Sequence, residues 1–173
     1  MWPTHWNIFH GYFVGYAAKS WYDSHGNGAN TLCLAKDPEF LENVEGNEAP
    51  RNAGIHGVEY RVSNTFLRSE NLENENVPCA VCEVPRTSVL MLPAKRTCPQ
   101  GWTLEYEGLV MAGNYNHNGQ SEYICVSLGM ETIPGGSART DGGLLFVVEI
   151  RCHTLLCPPY EAGYELSCVV CTK

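Results

Sequence analysis

Along this chain apolar and polar positions alternate in short runs far more often than they recur every third or fourth place. The runs GVEYRVS (57–63), SVLMLP (88–93), TLEYEGLVM (103–111), SEYICVSL (121–128), LLFVVEIRC (144–152) and YELSCVVC (164–171) are rich in Val, Ile, Leu and Tyr and bounded by Gly, Pro or Asn. A period of two in segments this short predicts strands. Between them lie the turn-formers SHGNGAN, YNHNGQS and IPGGSARTDGG. Only DPEFLENV reads as the start of a helix, with Asp37 as N-cap and Pro38 in the first turn. EGNEAPRNAG and SENLENENVP read as exposed loops. The expected fold is mostly β with little helix.

The pattern is also written twice. GYAAKSWYDSHGNGANTLCL (15–34) matches GLVMAGNYNHNGQSEYICV (108–126), with Gly15 over Gly108, Tyr22 over Tyr115, His25 over His117 and Cys33 over Cys125. Glu59 falls over Glu149, and the motif CAVC at 79–82 over CVVC at 168–171. These readings predict a single domain, 1–173, made of a first repeat at 1–92 and a second at 93–173. Each half is small for an independent core, so the two are expected to pack as pseudo-symmetric halves of one disulfide-stapled unit.

A pair of CxxC motifs raises the question of metal. A zinc knuckle needs a tight turn between its ligands, but Ala-Val and Val-Val prefer extended backbone. On a strand, positions i and i+3 face opposite ways, so each cysteine of a pair should reach a different partner. A redox CxxC sits at a helix N-terminus, a context missing here. Structural disulfides are therefore expected for Cys79, Cys82, Cys98, Cys125, Cys152, Cys157, Cys168 and Cys171, with no metal site. Nine cysteines leave one over. Ten residues before Gly108 is Cys98, and ten before Gly15 is His5, so the first half carries His5 where the second carries Cys98. If Cys98 pairs with Cys125, Cys33 becomes the orphan, either a buried free thiol or an interchain bridge.

Composition narrows the classes. The net charge is −8 with 11 Lys and Arg, which disfavours nucleic acid and anionic membranes as partners. No apolar run reaches the roughly 18 residues of a spanning helix. The opening MWPTHWNIFHGYF lacks the features of a signal peptide, yet the cysteine density reads as secreted and oxidised, so a leader is expected to have been removed. There is no Asn-x-Ser/Thr sequon. Nor is there a G-x-S-x-G, HExxH or P-loop. The Cys33–His25 spacing recurs as Cys125–His117 and so reads as a feature of the repeat, not as a catalytic pair. No catalytic residue and no cofactor is expected.

NTLCLAKDPEF, the run from VPCAVCEVPRT to SEYICV, and CPPYEAGYELSCVVC closely resemble the carboxy-terminal non-collagenous domain of spongin-type short-chain collagens and related invertebrate cysteine-rich proteins. The resemblance spans nearly the whole chain and is most specific from Cys79 onward; relatives carry a further cysteine in the position of His5. No Gly-x-y tract is present, so this chain cannot form a collagen triple helix. The resemblance implies a non-enzymatic extracellular module that self-assembles in matrix or skeleton, with itself, matrix proteins, glycans or mineral as partners. A mineral role would draw on 19 acidic and six His residues, but no Asp- or Ser-rich tract supports it. The second reading is a bivalent lectin. Its patches would be Trp21, Tyr22, Asp23, His25 and Asn30 in one half and Tyr115, Asn116, His117 and Asn118 in the other, suited to stacking and amide bonding with sugars. The plainer account is that Gly and Asn there serve turns while the aromatics pack.

Overall fold

Alternation becomes pairing in strands β1 (Asn7–Gly15), β2 (Leu32–Ala35), β3 (His56–Arg61), β4 (Pro78–Cys82), β5 (Val89–Pro93), β6 (Thr103–Ala112), β7 (Ile124–Ser127), β8 (Gly143–Val147) and β9 (Ser167–Thr172). The computed structural model describes residues 7–15, 23, 25, 28–40, 54–62, 72–136 and 139–173. Among the described residues there is no helix. Asp37–Phe40, where one was expected to begin, are exposed and non-helical, and 41–53 lie outside the described residues. The mostly-β, disulfide-rich expectation therefore holds.

The strands form one sheet in the order β2-β1-β3-β8-β6-β9-β5, with β4 also on β1 and β7 also on β6. Every pairing is antiparallel except β3 with β8, where Val58 lies opposite Gly143 and Arg61 opposite Phe146. That ladder joins the first half of the chain to the second. The core is drawn from both sides of it: Val58, Tyr60, Val62, Leu72 and Val77 pack with Met111 and Leu145. β9, held between β5 and β6, is buried on both faces at Cys168, Val169 and Cys171.

Two disulfides dictate the curvature of the sheet. Gly108 of β6 faces Ser127 of β7 on one edge and Cys168 of β9 on the other. Strands on opposite edges of a flat strand lie roughly 9–10 Å apart, too far for a disulfide. Yet Cys125 and Cys168 are bonded, with Cα atoms 5.9 Å apart, so the flanking strands must fold toward each other over β6. Gly108 permits it: a Cβ there would overlap the Val126 carbonyl oxygen and come within 3.2 Å of the Cys125 sulfur. Gly11 of β1 is placed in the same way, between Ala35 of β2 and Cys79 of β4. Its Cβ would overlap the Leu34 carbonyl oxygen and meet the Cys33 sulfur at 2.9 Å, and Cys33–Cys79 closes with Cα atoms 5.8 Å apart. The residue of the first half that does what Gly108 does is therefore Gly11, not Gly15.

Other contacts come in matched form. Val77 N–H donates to the Val58 carbonyl and Leu166 N–H to that of Val148, each at 2.9 Å. Tyr60 N–H donates to Glu75 O at 2.9 Å, and Ile150 N–H to Tyr164 O at 2.8 Å. Asn74, with φ 68°, and Gly163, with φ 87°, close the corresponding turns through bonds of 3.0 Å to Tyr60 O and Ile150 O.

The cysteine pairing corrects one expectation. Cys33 is bonded to Cys79, and the free, exposed thiol is Cys82. Cys98 pairs with Cys171 instead of Cys125, and Cys152 pairs with Cys157. The expectation failed because it took the partners from the Gly15–Gly108 alignment, which set His5 over Cys98. Which strands flank β1 and β6 decides the pairing, and the Gly15 alignment had hidden that. The strand argument itself fits CVVC, where Cys168 and Cys171 reach different partners.

Candidate functional site

Cys82 ends β4, one position in from the surface loop that leads to β5. The cysteine that ends the other CxxC, Cys171, is fully buried and bonded to Cys98 while β5 covers its strand. Among the described residues β4 pairs only with β1, leaving Cys82 exposed. Partial burial and the negative charge of Glu105 push its thiol pKa up, so at neutral pH it is a thiol and not an activated thiolate. Beside it, the Tyr106 hydroxyl donates to the Cys125 carbonyl at 2.9 Å. Burial, and then Cys82, raise that phenol's pKa as well.

Glu105 belongs to a network across the end of β9. It accepts from the Thr172 hydroxyl and from Arg86, which also donates to Thr172. Burial works to raise the Glu105 pKa, but the bonds from Thr172 and Arg86 and the guanidinium charge outweigh it, and the net shift is downward. Across the join between the halves, Arg61 pairs with Asp141 at 2.6 Å and Glu73 at 3.1 Å. Glu59, 1% exposed, accepts from the Thr140 N–H and hydroxyl at 2.7 Å each. Glu149, over which it was aligned, is exposed and pairs with Arg151 at 3.3 Å.

The two loops expected to bind sugars meet each other. Asp23 accepts from the Asn118 N–H at 2.9 Å and from its side-chain amide at 3.2 Å. Thr31, next to Asn30, donates from both its N–H and its hydroxyl to Glu122 at 2.6 Å, and Glu122 N–H returns to Ala29 O at 2.9 Å. His117 packs edge-on against Phe146, with ring centroids 5.6 Å apart. Burial lowers its pKa, reinforced by Arg61 and partly offset by Asp23. His25, Asn30 and Asn116 are exposed; Trp21, Tyr22 and His5 lie outside the described residues. Instead of two separated faces, the loops form one interlocked contact.

Tyr115 is separate from that contact, at the rim of an open groove shared with Tyr123, Glu149, Arg151 and His153. Sequence reading did not single out the last four as residues of a binding site, although it aligned Glu149 with Glu59 and counted His153 among the six His. Tyr123 lay inside the matched segment 108–126 without standing out, and nothing local brings 149–153 beside 115. A smaller cavity of about 170 Å³ lies where the halves meet, bounded by Phe13, Tyr60, Tyr106 and Met130. No cluster of three metal-ligating side chains occurs among the described residues. Compared with known proteins, the chain matches no family model and no curated sequence.

Proposed function

We propose that this protein is a secreted structural module that self-assembles in extracellular matrix or skeleton, built from two pseudo-symmetric repeats. The observation that carries the proposal is the contrast between β4 and β9. Both carry a CxxC and both are stapled through its first cysteine. β9 is covered by β5 and closed by Cys98–Cys171, whereas β4 has a free edge among the described residues and an unbonded, exposed Cys82. A strand edge of this kind is a template for pairing with another chain, and a thiol beside it lets such pairing become covalent. The matched glycines, disulfides and turn bonds support the repeat reading. Four disulfides support an oxidising, extracellular setting.

The test is association. Analytical ultracentrifugation over a concentration series should show growth beyond the monomer, and intact mass without reductant, after capping free thiols, should show dimers linked through Cys82. A chain that stays monomeric at high concentration, with Cys82 always capped, would end the reading.

A further inference from the structure

We propose that the groove at the end of β6 binds a neutral saccharide. The groove encloses about 580 Å³, within the range of small-ligand sites. Phe146 and Val147 give it an apolar floor. Two tyrosines stand on it with little packing of their own: Tyr115 is 84% exposed and Tyr123 66%. Phenol rings in that state offer flat apolar faces to the C–H surface of a pyranose, and their hydroxyls offer hydrogen bonds.

The loop that carries them is anchored at several points. Gly113 N–H donates to Ser121 Oγ at 2.6 Å, and Asn116 N–H to Asn114 Oδ1 at 2.9 Å. Asp23 holds Asn118, Thr31 holds Glu122, and His117 leans on Phe146. The loop of the first half is thus a brace for the loop of the second, and the backbone that carries the rings has little ordering entropy left to lose on binding.

Charge selects the ligand class. Glu149 and Arg151 are exposed and paired at 3.3 Å, so the groove has a strong acceptor beside a strong donor and nearly no net charge. Vicinal sugar hydroxyls each donate and accept, and suit such a pair. A sulfated or carboxylated glycan would find Arg151 already countered by Glu149, and a basic peptide would find the reverse. The inference does not depend on assembly through β4.

The full-length chain should be screened against an array of neutral oligosaccharides, and hits titrated by NMR. We expect millimolar or tighter binding that perturbs the 113–123 and 149–153 amides. Tyr115→Ala and Tyr123→Ala should each weaken it about tenfold or more, roughly 1.4 kcal/mol, with thermal melting unchanged because both rings are exposed. Arg151→Ala should weaken it too. Tyr164→Ala, also exposed but outside the groove, should not. Absence of any neutral hit, binding only to anionic glycans, or affinity that survives the Tyr115→Ala/Tyr123→Ala double substitution would each overturn the proposal.

Discussion

β4 and β9 start from nearly the same motif, CAVC and CVVC, and end in different states. Both cross a glycine-bearing strand and both close a disulfide to the strand on its far edge. β9 then acquires a second neighbour and loses all solvent contact at Cys171, while among the described residues β4 keeps a free edge and its thiol. The lesson is that a CxxC on a strand has no fixed chemistry of its own. The first cysteine is committed by the strand that folds over the glycine. The second depends on whether another strand arrives on the outer side.

The comparison breaks most sharply at the second cysteine. Cys171→Ser removes a bridge closing a 73-residue separation, which should cost about 4 kcal/mol on the loop-entropy model. Cys82→Ser should stay within about 0.5 kcal/mol, as an exposed substitution does. Urea denaturation of the two variants measures both, and equal losses would erase the distinction.

Next come the glycines, where the halves should behave alike. Gly11→Ala and Gly108→Ala each drive a methyl into a backbone carbonyl that cannot rotate away. Each should cost about 3 kcal/mol or more and impede its disulfide, read as an additional alkylated cysteine pair in the mass spectrum. A native-like Gly11→Ala variant would show that the first half does not need the fold-over.

The acids should again separate the halves. Glu59→Ala removes the two hydrogen bonds that a fully buried carboxyl group accepts from Thr140 and should cost about 2 kcal/mol. Glu149→Ala breaks only a surface pair and should cost less than about 1 kcal/mol. Thermal melts of the two variants side by side decide it.

The smallest effect is in pH. His117 has a lowered folded pKa, so the unfolded chain takes up the proton first. Its contribution is intact above about pH 6.5 and is lost as pH falls from there through the folded value. Glu105, also lowered, contributes above its unfolded value and loses that contribution at more acidic pH, as pH falls through the folded value. Stability should thus decline in two acid steps, and His117→Gln should remove the first. Histidine NMR titration should place the His117 midpoint below 6.5.

Much of this architecture was legible because alternation is local. β3, β5, β6, β7, β8 and β9 each fall, to within one residue, in the short apolar-rich runs of the sequence, and the extended Val-Val of CVVC shows why its cysteines diverge. What stayed hidden is non-local. Cys33 and Cys82 cannot be told apart without knowing which strands flank β1, and the Gly11–Gly108 correspondence is one of geometry, with little similarity around it. The groove escaped for the same reason: Tyr115 stood out as a loop aromatic, but only the β6–β8 pairing brings Glu149, Arg151 and His153 to it.

The parallel ladder between β3 and β8 sets a schedule for the ribosome. Val58 waits for Gly143, 85 residues further on, and at ordinary synthesis rates that gap lasts on the order of ten seconds. Throughout it the nascent first half can form its hairpins and Cys33–Cys79, but an edge destined for the interior stays open. Whatever accompanies this chain during synthesis therefore has to shield one strand, and for a definite interval.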